Sequence, residues 1–204
     1  MRFSKKLYLL LLVFSVGFIV FGILAKTTID TIKVSGPVYT EIILDKDLVA
    51  DILPPPEYII EAYLVVLQAL DTGQTDTAKL AGERLKALKA DYDTRHLYWD
   101  KALPHGPKRE LLLNESYKPA IAFFSKAEQD FLPLLAAGDH EKARTLAFGE
   151  LKQQYDAHRI AIDKLVKVAN DDAAAHEKRA LAIISSRSWL MMGVGLLILL
   201  GAVS

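Results

Sequence analysis

The sequence predicts an all-α chain: an antiparallel four-helix bundle whose long first and last helices continue into two transmembrane helices. Three observations carry this expectation. Apolar residues recur at alternating steps of four and three through most of the middle of the chain. Uncharged apolar runs stand at both ends. Short stretches holding glycine or proline divide the middle into four.

The first element is Leu7–Ala25, about 19 residues without a charge, which as a helix covers the roughly 30 Å hydrocarbon core. A cleavable signal peptide would have a shorter apolar region, and Ile23-Leu24-Ala25 is a poor cleavage site, so the run reads as a retained span. Arg2, Lys5 and Lys6 precede it, which keeps residues 1–6 in the cytoplasm and puts residues 26–188 outside. Trp189–Ser204 is again apolar and uncharged, with its Trp where a membrane interface is expected. It is read as a second span, 189–204, truncated within or just after the membrane.

Between the spans, four helices are expected over about 27–71, 76–101, 108–137 and 139–188. Their seams are Pro56, Ile60, Tyr63, Leu67, Leu70; Ala81, Leu85, Leu88, Tyr92, Arg95, Trp99; Tyr117, Ile121, Phe124, Glu128, Phe131, Leu135; and Leu151, Tyr155, His158, Ile162, Leu165, Ala169. Steps of four and three keep each series on one face, as knobs-into-holes packing requires. The turns fall at Asp71–Gln74, Pro104–Pro107 and Ala137–Asp139, the last with Gly138 suited to a left-handed helix end. Ile29, Ile32, Gly36, Tyr39 and Ile43 form a further seam that needs a partner, which suggests a homodimer.

Composition excludes several functions. Lys+Arg and Asp+Glu balance at 25 each, so nothing points to nucleic acid. There are no cysteines, which removes disulfides, thiolate nucleophiles and thiolate metal sites. His96, His105, His140 and His176 lack metal-ligand spacing, so neither a metal nor a cofactor is expected. No phosphate-binding loop, triad or carboxylate pair marks catalysis, and the segment is not expected to be an enzyme.

Two features invite a binding role. Pro54-Pro55-Pro56 must interrupt the first helix between about Asp51 and Glu57, either as a plain kink or as the opening of a pocket. Arg95 stands in a seam between Tyr92 and Trp99, where an unpaired charge is costly. It either holds an anionic ligand or is satisfied within the chain, for instance by Asp51. Counting from the turns puts Arg95, Ser116–Tyr117, His158 and the proline break at one height. The candidate ligand site is therefore Arg95, Trp99, Tyr117, His158 and Tyr58.

Lys33–Tyr39 (KVSGPVY), Lys46–Glu61 (KDLVADILPPPEYIIE), Ala137–Ala143 and Tyr155-Asp156-x-His158 resemble the sensory end of methyl-accepting chemotaxis receptors with a four-helix-bundle ligand-binding domain. The resemblance implies a homodimeric chemoreceptor input module in a bacterial inner membrane. Its periplasmic domain would sense a small ligand and signal to kinase-coupling machinery through a cytoplasmic part beyond residue 204. The same architecture serves sensor histidine kinases and diguanylate cyclases, which is the alternative reading.

Overall fold

A computed structural model describes residues 3–54, 57–71 and 76–203, and all regular structure among them is helical. In chain order the elements are α1 (Phe3–Ile32), α2 (Pro37–Ile52), α3 (Ile60–Asp71), α4 (Thr77–Ala102) and α5 (Pro107–Glu110). There follow a π-helical turn π1 (Leu111–Ser116), α6 (Tyr117–Lys126), π2 (Ala127–Phe131), α7 (Leu132–Ala136), α8 (His140–Leu146), π3 (Ala147–Leu151) and α9 (Lys152–Val203). The expected turn at Thr72–Gln74 and the prolines at 55 and 56 lie outside the described residues. By contacts the chain forms two units, residues 46–171 and residues 1–45 with 172–204.

The unit 46–171 is built on one apolar cluster. It takes Ala62, Tyr63, Val66 and Ala69 from α3 and Leu85, Leu88 and Tyr92 from α4. Phe123, Phe124, Ala127, Phe131 and Leu135 come from α6 to α7, and Ala147, Leu151 and Tyr155 from π3 and α9. Rings knit it together: Tyr63 stacks on Tyr155 at 4.8 Å, meets Phe123 edge-on at 6.0 Å, and donates its hydroxyl to the Ala147 carbonyl at 3.3 Å. The seams expected on α4 and α9 are buried, except that Arg95 is only partly covered. The α3 seam is displaced: Ile59, Ala62, Tyr63, Val66 and Ala69 are buried, whereas Ile60 is exposed and Leu67 and Leu70 are only half-buried. Glu128, expected in a seam, is exposed because π2 holds Ala127 and Phe131 inward.

Both wide turns before α6 and α7 have a cause in the sequence. A proline ring inside a helix collides with the carbonyl four residues earlier. For Pro119 and Pro133 those carbonyls belong to Glu115 and Gln129, which lie inside π1 and π2. A five-residue hydrogen-bond step swings them clear without ending the helix. Between α7 and α8, Gly138 adopts φ +75°. Its N–H donates to Leu135 O (3.0 Å) and that of Asp139 to Leu134 O (2.9 Å), closing α7 before Asp139 caps α8 through the Lys142 N–H at 3.2 Å.

In the other unit, α1 and the end of α9 are long and apolar enough to cross a membrane, and their large apolar side chains face outward. They approach closely at Gly17, where a Cβ would overlap the Ile198 side chain. Arg187 donates to Thr27 Oγ1 at 3.3 Å. Farther along, His176 Nδ1 lies 3.1 Å from the buried Asp45 carboxylate, and Arg179 lies 3.6 Å from Glu41. The helix expected from 27 onward is broken at Lys33–Gly36, where Ser35 has φ 68°. At Gly36 a Cβ would come 2.8 Å from the carbonyls of Thr31 and Lys33, so only glycine fits there. Pro37 then starts α2, as proline favours the first helical position. Of the seam expected around this point, Ile29 and Tyr39 are exposed, Ile32 and Ile43 half-buried and Gly36 buried, while the neighbouring Thr28 and Val38 face inward instead.

Candidate functional site

The last turn of α2 carries Asp51, which gathers two side chains from one face of α4. Arg95 donates from Nε to Asp51 Oδ2 at 2.8 Å and pairs with it through a terminal nitrogen as well. Trp99, one turn on, donates its indole N–H to the same oxygen at 2.6 Å. The Arg95 guanidinium also lies 4.4 Å over the Tyr98 ring. Trp99 is buried, so its N–H needs this acceptor. Asp51 thus neutralises Arg95 and anchors Trp99 together, and an anion at Arg95 would have to compete with Asp51.

Tyr58, Tyr117 and His158 meet elsewhere, in a ring cluster around Tyr92. Tyr117 stacks on His96 at 3.9 Å and on Tyr92 at 6.1 Å. Tyr92 meets His158 edge-on at 6.3 Å, and Tyr58 stacks on His158 at 6.1 Å. The Tyr58 and Tyr155 hydroxyls are 2.9 Å apart. His158 is fully buried, with Nδ1 2.9 Å from the Ser116 carbonyl at the end of π1. Desolvation pushes its imidazole down to about 4, against the pull of the Ser116 and Glu57 carbonyls, so it is neutral at pH 7. Of the five residues expected to form one site, the structure joins Arg95 to Trp99 through Asp51, and Tyr117 to His158 through Tyr92, with Tyr58 stacked on His158.

The residue that sequence reasoning passed over is Glu57. It lies in the short turn before α3, is fully buried, and neither carboxylate oxygen has a hydrogen-bond partner. Burial pushes its carboxyl up to about 8, helped by the charges of Asp51 and Asp93 and opposed by Arg95. Tyr92 feels Glu57 in turn, and its phenol is pushed up mainly by burial. The only signal was the acid directly after three prolines, which gives position but not burial. His96 Nδ1 is likewise buried without a hydrogen bond, and burial holds that imidazole below its usual range.

A polar hollow of about 460 Å³ adjoins His96, lined also by Asp100, His105, Arg109, Glu110 and Asn114. Its charges are satisfied locally: Arg109 pairs with Asp100 and donates to Leu103 O at 3.0 Å, and Asn114 donates to Glu110 at 2.6 Å. Among the described residues, no three His, Asp or Glu side chains are placed to hold a metal. The chain matches no protein-family model, no curated protein and no solved structure.

Proposed function

We propose that this chain is the input part of a bacterial transmembrane chemoreceptor, with no catalysis of its own. In this reading α1 and the end of α9 cross the inner membrane. Residues 26–188 form an extracytoplasmic antiparallel four-helix sensing bundle that continues into both spans. The protein acts as a homodimer and passes stimulus occupancy to a kinase-controlling part beyond residue 204. The observation that carries the proposal is the pairing of two membrane-length helices, packed together at Gly17 and Ile198, with a helical unit that buries ionisable groups beside a helix break. Burying such groups costs stability, and a bistable sensor uses that cost to set two states close in energy.

Two measurements test this. Alkaline phosphatase joined after residue 100 should be active and joined at the amino terminus inactive; a soluble protein beginning at Lys26 would end the anchored reading. Residues 1–204, joined to the cytoplasmic part of a characterised chemoreceptor, should place its kinase under control of conditions outside the membrane. A hybrid whose kinase output is the same with and without residues 26–188 would refute the sensory role.

A further inference from the structure

We propose that the stimulus this module reads is the proton, and that the buried carboxyl of Glu57 is where it binds. The inference rests on the input-module reading above and supplies its ligand. Asp51 faces Glu57 from α2; Tyr92, Asp93 and Arg95 face it from α4; and the His158 ring of α9 lies against its backbone carbonyl. Of these groups only Arg95 is a cation, and Asp51 already holds its Nε and a terminal nitrogen. His158 stays neutral throughout the physiological range. Among the described residues, no further cation acts on Glu57.

A carboxylate with no solvent exposure and no hydrogen bond, whose one cationic neighbour is already held by Asp51, is far costlier than a carboxylic acid in the same place. The folded structure therefore accommodates the acid. The acid loses its proton to solvent at about pH 8, a value a cell meets in mildly alkaline surroundings. On ionisation a second negative charge appears beside Asp51, with one cation between them. Glu57 then competes for Arg95, and the oxygen that holds both Arg95 and Trp99 is the one that yields. Asp51 ends α2, Glu57 precedes α3, and Arg95 and Trp99 lie on α4, so the loss of one proton loosens the junction of three helices. A proton also needs no cavity, which suits a group enclosed on every side.

The full chain in lipid nanodiscs tests the proposal by infrared difference spectroscopy from pH 6 to 10. A protonated-carboxyl band should vanish with a midpoint within about one unit of 8. Glu57→Gln, which imitates the protonated side chain, should lack that band. Asp51→Asn should move the midpoint down, because a negative neighbour is gone; this reading holds even if Glu57→Gln fails to fold. In the kinase hybrid, output should change with external pH at the same midpoint, and Glu57→Gln should lock it in the acid-side state. A band that persists in Glu57→Gln, a Glu57 already ionised at pH 6, or a working hybrid indifferent to pH would each overturn the proposal while leaving the input-module reading standing. A normal Glu57 titration in a hybrid that never controls its kinase would instead overturn that reading, and the proton as stimulus with it.

Discussion

Removing the Asp51 carboxylate tests the physical account of the α2–α4 junction directly. Two contributions are lost in Asp51→Ala. The buried Trp99 N–H loses its acceptor at 2.6 Å, an uncompensated donor costing about 1–3 kcal/mol. The ion pair with Arg95 is also lost, but its side chains are 33% and 26% exposed, so water and salt leave it worth about 1 kcal/mol at most. The expected destabilisation is thus about 1–4 kcal/mol, with Trp99 the larger part. Asp51→Asn keeps an acceptor for Trp99 and loses only the charge, and should cost about 1 kcal/mol. Denaturant unfolding of the full chain in detergent, followed by circular dichroism at unchanged m, measures both. Equal losses in the two variants, or a loss below about 0.5 kcal/mol in Asp51→Ala, would refute the assignment. So would additivity in a cycle with Trp99→Phe, since residues sharing a hydrogen bond should couple.

Two further outcomes follow. Gly17→Val should weaken the pairing of α1 with α9, because its side chain must overlap Ile198, whereas Gly22→Val has open space and should be silent; thermal unfolding in detergent compares the two, and equal midpoints would remove the close approach. The pH dependence of stability has two opposed limbs. His158 changes from 6.5 unfolded to about 4 folded, so its contribution is complete above pH 6.5 and is lost on acidification toward 4. Glu57 changes from 4.5 to about 8, so its contribution is complete below 4.5 and is lost as pH rises toward 8. Between pH 6.5 and 8 only Glu57 acts, and stability should fall by about 1.4 kcal/mol per pH unit. His96, also held low by burial, adds to the same limb, so in His158→Gln the acid limb should shrink rather than vanish; an unchanged acid limb would show that His158 does not carry it.

Much of the helical layout was legible because its signals are redundant. From the end of π3 along α9, Leu151, Tyr155, His158, Ile162, Leu165 and Ala169 stand among charged and polar residues, so one face alone could be apolar, and all six are buried. Gly138 announced its turn by type. The α3 seam was misread because Ile59 to Leu70 is apolar nearly all round, and a period of 3.6 fits two overlapping faces there. Ser35-Gly36-Pro37 carried a break signal that the flanking apolar residues masked. Level-counting brought Ser116 to His158 and Asp51 to Arg95, since helices of regular rise keep their register over short distances. It could not see Glu57, whose burial depends on the path of an irregular turn rather than on any period.

The wide turns at π1 and π2 also decide where the chain can change length. A π turn holds one residue more than the helix around it needs, so losing one residue within Leu111–Ser116 restores an ordinary helix and leaves Phe123, Ala127 and Phe131 facing the core. The same loss in α4, at Ala87, has no spare residue to absorb it. It turns every later side chain by about 100° and carries Leu88, Tyr92 and Trp99 off the core. The tolerance at π1 is conditional on its proline: with the turn tightened, the Pro119 ring again meets the carbonyl four residues back. Deletion there and replacement of Pro119 therefore belong together as one viable step, and each alone is the harder change.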